Sequence, residues 1–192
     1  MVGTEDTKDY PVNRALPGYR TQSSDICLGH DAIYTKYPVG ELFCPQPNSW
    51  TCGPCSLLNG LRAIGIYDVE LRSLMALTDT NCENGTSSAS LLAAAQHFES
   101  HCIVHCGSGA TIDDLRSLLE ESYVVIVNFR EPNDGIGHFA LVEAIGSEAI
   151  QFADPDAGPC CLLALKDFVF QSQFDEPPIE GWFLGLKPVR GA

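Results

Sequence analysis

At Tyr123 the hydrophobic period of the chain changes. That change constrains the fold more than any other feature of the sequence. From Cys52 onward, apolar residues recur at helical spacing, as in Leu57, Leu58, Leu61 and Ile64, with Gly65 placed to stop the helix. "YDVELRSLMALT" reads as a second helix and "SASLLAAAQHFESH" as a third, separated by the loop "NCENGTSS". "CIVHC" reads as a short strand. "GATIDDLRSLLEES" then reads as a helix capped by Thr111, with Asp114 supplying the acidic side of the capping box. After Tyr123 the period is two. "YVVIVNF", "HFALVEAI" and "AIQFAD" read as strands, the last two joined tightly at Gly146 and Ser147. "LKDFVFQS" reads as a short helix and "GWFLGLK" as a closing strand. Helices first and antiparallel strands after them imply an α+β fold, with helices packed on one side of an antiparallel sheet. Residues 1–44, rich in polar residues, Pro and Gly without periodicity, read as an N-terminal arm. Residues 45–192 read as one domain.

Charge removes whole classes of function. The 192 residues carry 25 acids against 11 Lys and Arg, a net charge of -14, which is the wrong sign for nucleic acid or an anionic membrane. The opening "MVGTEDTKDYPVN" has neither a basic nor an apolar signal-peptide region, and no apolar run is long enough to span a bilayer. The nine cysteines are an odd number without a secretion signal, so reduced thiols in the cytoplasm are expected. The CxxC and the adjacent pair Cys160-Cys161 are the thiols open to redox chemistry.

The segment "NSWTCGPCSLL" allows two chemistries. CGPC is the spacing of a thioredoxin-type dithiol, but that motif normally follows a strand, and "FCPQPNS" is loop-like. Alternatively, Cys52 opens a helix, where partial positive charge and unpaired N–H groups favour an anionic sulfur. A cysteine nucleophile then needs a base, a group to orient the base and an oxyanion donor. His138 follows the loop "NDGIG" and begins an apolar strand. Asp154 ends the next strand, so antiparallel pairing brings the two together. Gln46 precedes Cys52 by a short loop, and its side-chain amide could serve the oxyanion beside the Cys52 backbone N–H. The loop "FREPNDGIG" is expected to lie over the resulting cleft, with Gly135 and Gly137 as hinges.

Gln46, Cys52-Gly53, Gly137-His138-Phe139 and Asp154-Pro155, in that order, resemble the papain-like cysteine peptidase superfamily. Within it the chain resembles C39-like peptidases and the phytochelatin synthase catalytic domain, over residues 45 to about 187. "ATIDDLRSLLEESYVVIVNFREPNDGIGHFALV" looks more like the synthases, and "ADPDAG" more like the C39 side. The resemblance implies a papain-like fold with Cys52 as nucleophile, His138 as general acid and base, Asp154 as orienting residue and Gln46 as oxyanion donor. It implies cleavage of an amide through an acyl-thioester on Cys52, with a peptide or γ-glutamyl peptide as substrate and no cofactor. Unlike phytochelatin synthases, the chain lacks a Lys-Tyr-Pro-bearing stretch after the aspartate and a long Cys-rich C-terminal region. Unlike transporter-fused C39 proteases, it shows no ATP-binding or membrane-spanning region. Peptide hydrolysis is therefore expected ahead of γ-glutamylcysteine transpeptidation. The readings from other classes are a CGPC thiol oxidoreductase, a metal-binding protein and a papain-fold protein that binds without turnover. Metal binding would fall to His97, His101, His105, Cys102 and Cys106, but a helix ending near Ser100 scatters these ligands, and no metal is expected.

Overall fold

The computed structural model describes residues 27–132, 135–170 and 179–189. Most of the expected arm, residues 1–26, lies outside them, as do two residues of the "NDGIG" loop and the end of "LKDFVFQS". Within the described residues a seven-stranded antiparallel sheet carries four helices. In chain order the elements are β1 (Ile33–Tyr34), α1 (Cys52–Ala63), α2 (Leu71–Leu77), α3 (Ser88–Gln96), β2 (Cys102–Gly107) and α4 (Ile112–Glu120). They are followed by β3 (Val124–Arg130), β4 (Gly137–Ile145), β5 (Ala149–Asp154), β6 (Gly158–Ala164) and β7 (Phe183–Pro188). The strand order is β2-β7-β3-β4-β5-β6, and β1 pairs with the far end of β4, beyond the last residue paired with β3.

The helices lie on both faces of the sheet, not on one. Val124 and Ile126 of β3 pack with Leu57, Leu58 and Leu61 of α1, and with residues of α2 and α3. Val125, Val127 and Phe129 pack instead with Leu115, Leu118 and Leu119 of α4. A strand with period-two side chains buried on both sides needs cover on both, and α4 provides the second layer.

Most elements form where the pattern places them. α1 begins at Cys52 and ends before Gly65, whose φ of +92° lets the backbone turn out of the helix. α4 carries the full capping box: the Thr111 hydroxyl accepts from the Asp114 N–H, and the Asp114 carboxylate accepts from the Thr111 N–H. Gly146 makes the β4–β5 turn, and an added Cβ there would lie 1.6 Å from the Leu28 carbonyl oxygen. The N-terminal segment thus crosses directly over this turn.

Some elements differ from expectation. α2 and α3 are shorter than their periodic stretches, and Leu74 is the single buried residue of α2. The described part of "LKDFVFQS" is not helical. It forms a turn and then a bridge between Phe170 and Phe129. Phe168 and Phe170 add to an aromatic stack with Phe129 and Phe152, with ring centroids 4.8 Å apart for Phe129–Phe152 and also for Phe168–Phe170. Tertiary stacking therefore overrides the local helical pattern. β1 and β6 have no counterpart in the sequence reading.

Candidate active site

Three separate elements meet at one end of the sheet. α1 contributes Cys52 as its first residue, β4 contributes His138 as its second, and β5 contributes Asp154 as its last. All three are buried: Cys52 is 7% exposed, His138 9% and Asp154 1%. The β4–β5 ladder pairs Leu141 with Ala153, which makes His138 and Asp154 diagonal neighbours on one face. His138 Nε2–H donates to Asp154 Oδ1 at 2.9 Å. The second ring nitrogen is left for Cys52, whose thiol adds to the interactions that raise the imidazole. Phe129 meets the ring edge-on at 5.7 Å and helps fix its plane.

Asp154 has two local jobs. Its Oδ1 also accepts the N–H groups of Asp156 at 2.7 Å and Ala157 at 3.1 Å, which folds the turn after β5. One oxygen thus shapes the turn and holds the histidine. Burial raises the Asp154 carboxyl, but the charge and hydrogen bond of His138 and these two N–H groups outweigh it and hold it below the usual carboxylate range. For His138, burial works against protonation. The Asp154 charge and hydrogen bond, joined by Cys52, prevail and hold the imidazole well above its ordinary value.

The turn after β5 also positions Gln46. The Gln46 backbone N–H donates to Pro155 O at 2.8 Å, and its side-chain Nε2 donates to Asp156 Oδ1 at 3.0 Å. Gln46 Oε1 is buried with no hydrogen-bond partner. The opening turn of α1 is uncapped by the Thr51 side chain, and Pro54 has no N–H to orphan. The backbone N–H groups of Cys52 and Gly53 therefore have no acceptor within the helix.

Residues with no motif of their own hold α1 in place. Ser56, one turn after Cys52, donates its hydroxyl to Phe139 O at 2.9 Å, next to His138. Gly53 presses against the buried Thr86: a Cβ at this position would lie 2.7 Å from the Thr86 Cβ. Thr86 is held by Thr80 at 2.6 Å, and Thr80 by Thr78 at the same distance. Sequence reasoning missed Ser56, Thr86 and Asp156. All three stood inside quoted segments, Ser56 in "NSWTCGPCSLL", Thr86 in "NCENGTSS" and Asp156 in "ADPDAG", but none was given a role there.

A cleft of about 250 Å³ opens over Cys52 and His138. Gln46, Trp50, Thr86 and Ile136 are among its walls. Glu83, Glu131, Asp154 and Asp156 line it too, with no Lys or Arg among the described lining residues.

The residues of the other readings have neighbours of their own among the described residues. Cys52 and Cys55 have different partners: Cys52 faces His138, whereas the Cys55 sulfur faces Cys44. Cys160 is exposed and Cys161 buried. His97 caps the end of α3 and His101 lies in the following turn, while His105 on β2 packs against Tyr123 and Phe183. Among the described residues no group of three or more His, Cys, Asp or Glu side chains is arranged to hold a metal. None of the described helices is long and apolar enough to cross a membrane.

No family model matches the sequence, and no curated protein matches it. Solved structures do match the fold. A putative C39-like peptidase from Bacillus anthracis superposes with a TM-score of 0.61 at 14% identity, over 84% of this chain and 99% of that one. A double-glycine-motif protease from an AMS/PCAT transporter, solved with a leader peptide, gives 0.58 at 18% identity over 81% and 94%. The peptidase domain of Streptococcus ComA, a bifunctional ABC transporter in quorum sensing, gives 0.56 at 19% identity over 76% and 97%. The chain thus has the α+β, papain-like fold of C39 peptidase domains.

Proposed function

We propose that the protein is a cysteine peptidase that cleaves a peptide amide through an acyl-thioester on Cys52. The observation that carries this reading is the relay from the Cys52 sulfur through His138 to Asp154 at the floor of a cleft. His138 Nδ1 takes the Cys52 proton, and the resulting imidazolium is held by the Asp154 carboxylate. The sulfur attacks the substrate carbonyl, and the oxyanion that forms needs donors. The backbone N–H of Cys52 is one. The second hydrogen of Gln46 Nε2 is the other, since Asp156 takes only the first. His138 then gives its proton to the leaving amine. Water, deprotonated by the same imidazole, hydrolyses the thioester. The peptide bound to the AMS/PCAT protease supports a peptide as the substrate class.

The cleft walls bear on the choice between hydrolysis and γ-glutamyl transfer. Among the described residues four carboxylates and no Lys or Arg line them, which disfavours an anionic tripeptide such as glutathione and favours neutral or cationic peptides. The test is a peptide library with mass-spectrometric readout, run on the wild type and on Cys52→Ala. Cleavage by the wild type alone, with an acyl adduct on Cys52 in the quenched enzyme, is expected. Equal cleavage by both proteins overturns the assignment.

A further inference from the structure

One face of α1 grips the loop that carries Gln46. Cys55, Asn59 and Arg62 fall at i, i+4 and i+7, so they share a helix face. Asn59 clamps the backbone of Cys44 at both ends: its Oδ1 accepts the Cys44 N–H at 2.7 Å and its Nδ2 donates to Cys44 O at 3.1 Å. Arg62 donates to Leu42 O at 3.0 Å. The two sulfurs converge on one carbonyl oxygen, that of Pro45, at 3.7 Å from Cys44 and 3.9 Å from Cys55. Each thiol shifts the titration of the other, in opposite directions. Cys55 is fully buried, while Cys44 is only partly buried and open to a small oxidant.

We propose that Cys44 and Cys55 form a peroxide-sensitive thiol pair, a modification site distinct from the Cys52 relay, which closes to a disulfide. The two sulfurs share one carbonyl oxygen, on backbone that Asn59 holds at fixed spacing. The electrostatics give each sulfur its role. The hydrogen bond from Cys55 lowers the Cys44 thiol. Burial opposes this, Arg62 adds to it by charge and hydrogen bond, and the result is about 6. The same contact, together with burial, pushes the Cys55 thiol far up. Cys102, by contrast, is pushed up to about 11 by burial and by Glu99. Cys44, nearer solvent and beside Arg62, is thus the sulfur that meets the oxidant, and the buried Cys55 is the resolving one.

The chemistry balances with hydrogen peroxide as oxidant. The Cys44 thiolate attacks one peroxide oxygen, the O–O bond breaks, and the departing hydroxide takes a proton to become water. Cys44 is left as a sulfenic acid. The Cys55 sulfur then attacks the Cys44 sulfur, and the S–O bond breaks as the S–S bond forms. The hydroxide leaves as water with the Cys55 proton. Two thiols lose two electrons and one peroxide becomes two waters. The ring so closed contains both Gln46 and Cys52. The sulfurs must close to about 2.05 Å apart and release Pro45 O, which immediately precedes Gln46. Oxidation therefore draws the Gln46 loop onto α1. The expected slowing of Cys52 turnover rests on the proposed peptidase reading; the modification itself does not.

The experiment uses the full chain carrying Cys52→Ser, so that the relay sulfur is out of play. It is treated with hydrogen peroxide, alkylated and mapped by mass spectrometry. A Cys44–Cys55 cross-linked peptide that dithiothreitol cleaves is expected. With Cys55→Ser added, oxidation should stop at Cys44 and be trapped there by dimedone. Circular dichroism checks that each variant is folded. A second readout needs no oxidant: iodoacetamide at neutral pH should label Cys44 faster than the exposed Cys27 and Cys82, and Arg62→Gln should slow it. The proposal is overturned if peroxide oxidises Cys27 or Cys82 while Cys44 and Cys55 remain alkylatable. It is also overturned if Cys44 labels no faster than those exposed thiols. Both readouts are independent of peptide cleavage, so failure of the peptidase reading leaves them interpretable.

Discussion

Asp154 concentrates the site into one oxygen. Three N–H donors converge on its Oδ1, from His138, Asp156 and Ala157, so the carboxylate acts at once on the imidazole and on the turn that positions Gln46. In Asp154→Asn the imidazole keeps a hydrogen-bond acceptor but loses the negative charge that raises it. The imidazolium then gives up its proton at lower pH. The alkaline limb of the kcat/KM profile should move to lower pH, with kcat/KM down by about 100-fold. A pH–rate profile for both proteins decides the matter, and an unmoved alkaline limb rules out the charge effect. Residues of this kind were legible because each carries a local signature: Cys52 at a helix start, His138 at a strand start, Asp154 in an Asp-Pro. Ser56 and Thr86 were not. They act on partners 83 residues away in the case of Ser56, and on a Gly53 backbone contact in the case of Thr86, and neither contact leaves a trace in local periodicity.

At the scale of elements, the placement of α1 decides whether the relay exists. Ser56→Ala removes the bond from α1 to Phe139 O, a buried acceptor beside His138. A loss of about 1–2 kcal/mol is expected from urea unfolding. kcat should fall while KM changes little, because the defect lies in the alignment of Cys52 with His138 rather than in the cleft wall. Gly53→Ala forces a methyl against Thr86, which Thr80 pins. Overpacking there should cost about 1–3 kcal/mol, and Thr86→Ser, by removing the nearby methyl, should recover part of it in the double variant. Thr111→Ala tests a remote element: losing the α4 cap should cost about 1 kcal/mol and leave kcat/KM unchanged. The same elements show where sequence patterns weaken. The α4 cap and β3 to β5 were readable because cap chemistry and period-two runs are local. β6 was not, because "GPCCLLA" opens with Gly-Pro, and Cys160 sits at φ +61° inside the strand. β1 has two residues, too few to show a period.

Across the whole molecule, β3 could have corrected the one-sided layer. "VVIVNF" does not alternate between apolar and polar, and a strand without alternation is buried on both faces. α4 on the far side follows from that run. Burial of the His138–Asp154 pair, with its direct hydrogen bond, makes it a pH-dependent part of the stability. His138 titrates higher in the folded chain than unfolded, so its contribution is complete below the unfolded value of about 6.5 and fades as pH rises toward the folded one. Asp154 titrates lower when folded, so its contribution is complete above about 3.9 and fades as pH falls below that. The pair therefore adds most between about pH 4 and 6.5. Other carboxylates also titrate with pH, so the informative quantity is a difference between proteins. Urea midpoints for the wild type and for His138→Gln, taken from pH 3 to 9, should diverge most inside that window and converge on both sides of it. A constant offset at every pH would mean that the histidine contributes packing alone, with no charge coupled to Asp154.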